Sequence, residues 1–180
     1  MNAAAVFLDR DGVINRPLVR DGKPYPASSL AEFELLPEVK PACELLRRLG
    51  LLVVVTNQPD VGRGTLDRAV VEAIHAEMCR QLPIDRVEVC YEDGRQPNSL
   101  FYKPAPGMLL RVARDLHLDL SQSVMIGDRW RDIDCGRAAG CLTIWIDRGY
   151  NEPAPKNPDH RVSDLLQAAQ LLQQLGRIPA

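Results

Sequence analysis

Four short clusters in this 180-residue chain hold side chains of the kind that do phosphoryl chemistry. The first is Phe7-Leu8-Asp9-Arg10-Asp11-Gly12-Val13. Two carboxylates two residues apart at a strand end project to the same side. Gly12 allows the tight turn that follows. Carboxylates that close repel, so a cation is expected between them, and hard oxygen ligands favour Mg²⁺. The second is Val55-Thr56-Asn57-Gln58, where a hydroxyl and backbone amides after a buried strand can cradle a phosphate oxygen. The third is Tyr102-Lys103-Pro104-Ala105-Pro106, with Lys103 just before a Pro-led helix, a position suited to anions. The fourth is Ile126-Gly127-Asp128-Arg129-Trp130-Arg131-Asp132. There Asp128 offers a further metal ligand, and Asp132, one helical turn on, is placed to orient it. Each cluster has a plainer reading: a solvated acidic turn, a Thr-Asn turn, an exposed lysine, and a helix cap at Asp128.

The elements around these clusters give them a common location. Apolar runs at Ala4 to Leu8, Leu51 to Val55, Val87 to Tyr91, Ser123 to Ile126 and Cys141 to Ile146 are hydrophobic on both faces, as strands of a buried parallel sheet are. Helical periodicity marks Val39 to Leu49 and Leu66 to Leu82, the latter with Thr65 as N-cap. Further helices start at Pro106, run from Arg129 to Ala139 before Gly140, and span Leu165 to Leu175. Alternating strands and helices imply right-handed crossovers and an α/β, doubly wound, Rossmann-like parallel sheet with helices on both faces. Ligands bind beyond the carboxyl ends of such strands. Asp9, Asp11, Thr56, Asn57 and Asp128 close three separate strands and should therefore meet at one edge. No linker divides the chain, so residues 1–180 read as one domain. The stretch Pro153 to Pro158 reads as a surface loop before a last strand and helix.

Composition narrows the partners. The chain is 46% apolar, 26% charged and 5% aromatic, with a net charge of −2. Disorder and low complexity are excluded, and neither bulk electrostatics nor stacking platforms suggest a nucleic-acid binder. The apolar runs are too short to span a bilayer, and Met1 to Val6 lacks a basic region and meets Asp9-Arg10-Asp11 at once, so no signal peptide is expected. The reading is a cytoplasmic protein whose five cysteines, Cys43, Cys79, Cys90, Cys135 and Cys141, are reduced and mostly buried.

The ordered set Asp-x-Asp-Gly, Thr-Asn, Lys-Pro and Gly-Asp resembles the haloacid dehalogenase (HAD) superfamily of phosphotransferases. The flanking segments Val13-Ile14-Asn15, Phe33-Glu34-Leu35-Leu36-Pro37, Arg63-Gly64 and Pro106-Gly107-Met108-Leu109 are similar to those of its histidinol-phosphatase and D,D-heptose 1,7-bisphosphate phosphatase branch. The resemblance covers nearly the whole chain. It implies a HAD-type fold and a hydrolase that acts through an aspartyl phosphate. Asp9 would be the nucleophile and Asp11 the general acid and base, while Thr56 and Lys103 hold the phosphoryl oxygens. Mg²⁺ would be held by Asp9, by Asp11 through its backbone carbonyl, and by Asp128. Asn57, Arg63, Tyr102 and Arg129 would contact the substrate.

Two departures stand out. Most members of this branch carry a zinc loop with Cys-x-His and Cys-x-Cys before the Lys-Pro pair; here Cys90 to Tyr102 retains only Cys90, so no structural zinc is expected. Heptose bisphosphate phosphatases usually carry an Arg before the Lys, and here that residue is Tyr102, which offers one hydroxyl in place of a bidentate clamp. Arg16, Arg20, Arg63 and Arg129 are the spare cations near the rim. Pro59-Asp60-Val61-Gly62 also differs from the usual Ser-Gly-Ile-Ala. The segments Ile14 to Pro37 and Gln58 to Gly64 are short, so no separate cap domain is expected and loops must set selectivity. The resulting expectation is a monomeric phosphatase for a heptose 1,7-bisphosphate or related sugar phosphate. Histidinol phosphate is the alternative substrate. A phosphoacceptor domain and a ligand-binding domain without turnover are the alternatives from other classes. A receiver keeps its acidic pair and its phosphorylated Asp on different strands, unlike Asp9 and Asp11.

Overall fold

In a computed structural model, residues 3–178 are described. The first two residues of the Met1 to Val6 stretch lie outside them. Six strands form one parallel sheet: β1 (Ala5–Leu8), β4 (Leu51–Asn57), β5 (Arg86–Cys90), β6 (Val124–Gly127), β7 (Leu142–Ile146) and β8 (His160–Val162). Their spatial order is β5-β4-β1-β6-β7-β8, with every pairing parallel. The chain starts in the middle and winds outward both ways, which is the doubly wound α/β arrangement read from the sequence.

Alternation within the strands explains why both faces are covered. Val6 and Leu8 of β1, with Leu52 and Val54 of β4, point to a core shared with α1 (Val39–Leu46), α6 (Leu165–Gln174) and Met78 of α3 (Arg68–Gln81). Ala5, Phe7, Val53 and Val55 point to the opposite core, shared with α4 (Gly107–Leu116) and α5 (Trp130–Ala139). All four residues of β1 are fully buried, so the strand that carries Asp9 has apolar packing on both sides.

Helix ends differ locally from the sequence reading. Asp67, not Thr65, caps α3: its Oδ1 accepts from the Ala69 amide at 2.8 Å. Thr65 instead donates its hydroxyl to the Asp60 carbonyl at 3.1 Å, so the helix begins at Arg68. The α1 helix stops at Leu46 because the next turn tightens, with Leu49 N donating to Leu46 O at 2.9 Å. The β4 strand runs two residues beyond Val55, so Thr56 and Asn57 pair with Val89 and Cys90.

Four short elements were absent from the sequence reading, one of them the single 3-10 turn at Leu30–Glu32. The short helix α2 (Pro59–Gly62) follows β4. Between β1 and α1, β2 (Leu18–Arg20) and β3 (Lys23–Tyr25) form a separate antiparallel hairpin. Asp21 and Gly22 connect them with φ of 52° and 74°, the two-residue turn that matches strand twist. The Asn151 amide donates to Gly22 O at 2.8 Å and ties this hairpin to the loop after β7. All five cysteines are free; Cys79 is exposed and the other four are buried. No helix among the described residues is long and apolar enough to cross a membrane.

Candidate active site

Register decides which side chains meet. Leu8 is level with Val54 on one side and Ile126 on the other, so Asp9, Thr56 and Asp128 emerge together past the carboxyl edge. The Asp9 amide continues the ladder to Ile126 O at 3.1 Å. Asp128 is fixed from behind by the Trp145 indole, which donates to its carbonyl at 3.0 Å. Gly12, at φ 88°, lies so close that a Cβ there would sit 1.9 Å from Asp128 Oδ2.

Lys103 enters this edge from the loop before α4 and is 2% exposed, so the exposed-lysine reading is ruled out. Its ammonium donates to Asp9 Oδ1 at 2.7 Å and to Val55 O at 2.8 Å, and lies 2.7 Å from Asp132 Oδ1. Its three donors are thus all engaged. Burial alone would lower its pKa, but Asp132 and Asp9 outweigh that and hold it well above the ordinary lysine value. Asn57 keeps the lysine in place: its Oδ1 accepts from Lys103 N at 3.1 Å and its Nδ2 donates to Lys103 O at 3.2 Å.

Asp132 does not orient Asp128 as the helical spacing suggests. Its Oδ1 faces Lys103, and its Oδ2 accepts from the Arg129 amide at 3.0 Å, closing the first turn of α5. Asp128 does not cap that helix either; Arg129 occupies the N-cap.

The donor set fits a hard divalent cation. Carboxylate oxygens of Asp9, Asp128 and Asp132 lie within 4.8 Å of one another, all buried. Both Asp128 oxygens are buried without a hydrogen-bond partner, an orphaned state that costs several kcal/mol unless a cation or proton is present. Burial pushes the Asp9 carboxyl up to about 6, against the pull of Lys103. Burial and then the charges of Asp9 and Asp132 push Asp128 well above the usual carboxylate range. One lysine does not balance three carboxylates, and hard oxygen ligands are those Mg²⁺ prefers.

The carboxylate of Asp11 is turned to a different set of partners. Arg10 donates to its Oδ2 through Nη2 at 2.8 Å and Nε at 3.1 Å. Gln58 Nε2 donates to the same oxygen at 3.0 Å, and Asn15 Nδ2 to Oδ1 at 3.0 Å. Burial would raise its pKa, but Arg10 and these amides hold it below the ordinary value. The cation expected between the Asp9 and Asp11 carboxylates thus has its carboxylate cluster elsewhere, because the turn closed by Ile14 N on Arg10 O at 2.8 Å leaves Asp11 facing Arg10. Thr56 is buried beside them, its Oγ1 accepting from Gln58 Nε2 at 3.0 Å.

A protein from Chlorobaculum tepidum called D-glycero-D-manno-heptose-1,7-bisphosphate 7-phosphatase is 33% identical, over 93% of this chain and 92% of that one. The chain belongs to the heptose bisphosphate phosphatase family. A D-glycero-beta-D-manno-heptose-1,7-bisphosphate 7-phosphatase from Mesorhizobium japonicum is 34% identical over 96% of this chain and 84% of its own. The family model described as HAD-hydrolase-like matches residues 101–168. The crystal structure of D,D-heptose 1,7-bisphosphate phosphatase from B. bronchiseptica, complexed with magnesium and phosphate, superposes with a TM-score of 0.76 at 27% identity. It covers 96% of this chain and 99% of that one.

In this heptose bisphosphate phosphatase family member, the cleft above Asp9 holds about 530 Å³ of empty space, part of it open to solvent. Asp9, Asp11, Thr56, Asn57, Tyr102, Lys103 and Arg129 line it, so seven residues singled out from sequence share one cavity. Their free capacity differs from expectation. Asn57 spends both ends of its amide on Lys103. Arg129 is held by Glu152 through Nε at 2.8 Å and Nη2 at 2.5 Å. Arg63 lies outside, paired with Asp60 at 3.1 Å and lining an adjoining groove. Arg16 pairs with Glu34, and Arg20 lies over the Tyr25 ring.

Sequence reasoning missed four participants. Arg10 is fully buried behind Asp11. Gln58, quoted only as part of a motif, bridges Asp11 and Thr56. The hairpin brings Tyr25, between Pro24 and Pro26, into the cleft wall; the Asp21-Gly22 pair was the available signal for it. Arg131 lines the cleft from the first turn of α5, a position legible from its place just after Gly127-Asp128.

Proposed function

We propose that the protein is a Mg²⁺-dependent phosphatase that removes the 7-phosphate of D-glycero-D-manno-heptose 1,7-bisphosphate through an aspartyl phosphate on Asp9. The observation that carries this reading is the buried meeting of Asp9, Lys103 and Asp128 at the carboxyl edge of the sheet. The names of relatives aligned over nearly the whole chain supply the substrate.

In this reading Asp11, ionised in the free protein beside Arg10, takes the proton of a substrate phosphate bound as its monoanion; an Asp9 oxygen then attacks phosphorus as the bond to the sugar oxygen breaks, and Asp11 passes that proton to the leaving oxygen. Asp11 then takes a proton from water. The water oxygen bonds to phosphorus, and the bond to Asp9 breaks to release inorganic phosphate and the free carboxylate. Arg10, Asn15 and Gln58 fix the Asp11 carboxylate for both transfers. The Thr56 hydroxyl accepts from Gln58, which leaves its own proton for a phosphoryl oxygen. Lys103 is the cation for another, with Asp132 as its counter-charge. The Asp9 carboxylate, the Asp11 backbone carbonyl and Asp128 would hold Mg²⁺, which when bound neutralises the charge of the carboxylates and the phosphoryl group. The reaction is performed by a single domain; the hairpin, residues 58–64 and residues 90–102 border the cleft and set selectivity. A small soluble bisphosphate fits work in the cytoplasm by a monomer.

The test is phosphate release by purified protein with Mg²⁺ from the heptose bisphosphate anomers, histidinol phosphate and an aryl phosphate. The highest kcat/KM is expected with a heptose bisphosphate. A higher value with histidinol phosphate would overturn the substrate assignment.

A further inference from the structure

A bisphosphate presents two dianions, and the junction at Asp9 accounts only for the one that is cleaved. The other needs a cation that no carboxylate has already neutralised. Around the cleft, Lys103 is engaged by Asp9 and Asp132, Arg10 by Asp11, Arg129 by Glu152 and Arg63 by Asp60. Arg131 differs from all of these: among the described residues no carboxylate pairs with it. Its Nη1 donates to the Tyr102 hydroxyl at 3.3 Å, and its Nε is buried with no acceptor. Its guanidinium carbon lies 5.3 Å from the centroid of the Trp130 ring.

We propose that Arg131 and Tyr102 together grip the phosphate the enzyme retains, the 1-phosphate of the substrate; this deepens, and rests on, the phosphatase reading above. A buried N–H without an acceptor is costly, and a phosphate oxygen relieves that cost. Tyr102 accepts from Arg131, so its own hydroxyl proton is free to donate to the same anion. The Trp130 ring restricts the guanidinium, so less freedom is lost on binding. Position matters too. Both residues line the reaction cleft and also the adjoining outer groove, which Arg63 borders, so the grip lies where a group distal to the cleaved phosphate extends. Arg131 is the second residue of the ten-residue helix α5, whose amino end carries partial positive charge. A guanidinium from α5 thus works beside Tyr102.

Steady-state kinetics test this with three substrates: the heptose 1,7-bisphosphate, the heptose 7-phosphate and an aryl phosphate. Wild type is expected to prefer the bisphosphate over the 7-phosphate. Arg131→Ala should cut that preference by about tenfold or more, seen as a raised KM for the bisphosphate. Arg131→Lys should restore part of it, and Tyr102→Phe should lose less than Arg131→Ala in the same direction. An unchanged preference in Arg131→Ala would overturn the proposal, as would an equal fall of kcat/KM for both sugar phosphates. Wild type that cleaves the aryl phosphate without distinguishing bisphosphate from 7-phosphate overturns the grip alone. Wild type that cleaves none of the three overturns the phosphatase reading with it.

Discussion

Lys103 Nζ stands 2.7 Å from Asp9 Oδ1 and the same distance from Asp132 Oδ1, a buried cation shared by the proposed nucleophile and a second carboxylate. The arrangement, with the Val55 carbonyl as third partner, fixes the ammonium beside Asp9. It also makes the lysine structural, since both carboxylates are buried.

Replacing that lysine should therefore cost stability as well as turnover. Lys103→Met leaves Asp9 and Asp132 without their cation, and breaking a buried pair costs about 3–5 kcal/mol. Urea denaturation should show a lower midpoint, and phosphate release should fall by orders of magnitude. A variant as stable as wild type would contradict the shared ion-pair geometry.

The turn at Gly12 should be equally intolerant. A Cβ there meets Asp128 Oδ2 at 1.9 Å and the Tyr150 hydroxyl at 2.7 Å, on a backbone at φ 88°. Gly12→Ala is expected to destabilise by about 1–3 kcal/mol and to weaken Mg²⁺ affinity, because Asp128 must move. Metal titration followed by calorimetry, alongside thermal unfolding, reads both effects.

Stability should weaken on mild acidification through one histidine. Arg10 Nη1 lies 3.1 Å from His75 Nε2, and a guanidinium can only donate, so Nε2 accepts and the ring is neutral. Burial and then the Arg10 charge push the His75 pKa down to about 4, against the opposing pull of Glu72 and Asp11. The unfolded chain titrates near ~6.5. Between those values the unfolded state binds a proton that the folded state refuses, so stability falls as pH drops from about 6.5 toward 4, by about 3 kcal/mol in all. In His75→Gln this component should vanish. Urea unfolding at pH 7, 6 and 5 should show the wild-type advantage shrinking with pH; parallel curves would refute the assignment.

Metal removal separates the two ions the family resemblance raised. Chelation with EDTA should abolish turnover and Mg²⁺ should restore it, since both carboxylate oxygens of Asp128 are buried without a hydrogen bond among the described residues. Elemental analysis should find no stoichiometric zinc. Protein groups fasten the 90–102 loop: Ser99 Oγ accepts from the Phe101 and Tyr102 amides at 3.2 and 2.8 Å, and Arg111 covers the Phe101 ring at 4.5 Å. Stoichiometric zinc bound at Cys90 would overturn this.

The sheet and the meeting of its strand ends were legible because continuous apolar runs and register follow from local sequence. Asp9, Thr56 and Asp128 come together for that reason alone. What escaped depends on partners distant along the chain. Glu152, in a Pro-rich loop 23 residues on, neutralises Arg129, whereas Arg131 has no carboxylate partner among the described residues. Asp132 looked like a partner of Asp128 by helical spacing, yet the intruding Lys103 captured it. Thr65 and Asp67 both had capping side chains, and the bond from Thr65 to Asp60 decided between them. The hairpin at residues 18–25 was hidden because its strands are three residues long, mostly exposed and interrupted by Pro24.

The central claim is that Asp9 is the group that attacks phosphorus. Phosphate release from heptose 1,7-bisphosphate by wild type and Asp9→Asn, with Mg²⁺ present and folding checked by circular dichroism, tests it most directly. The account predicts a folded variant whose kcat has fallen by about 10³-fold or more. A folded Asp9→Asn protein that turns over at the wild-type rate would contradict it.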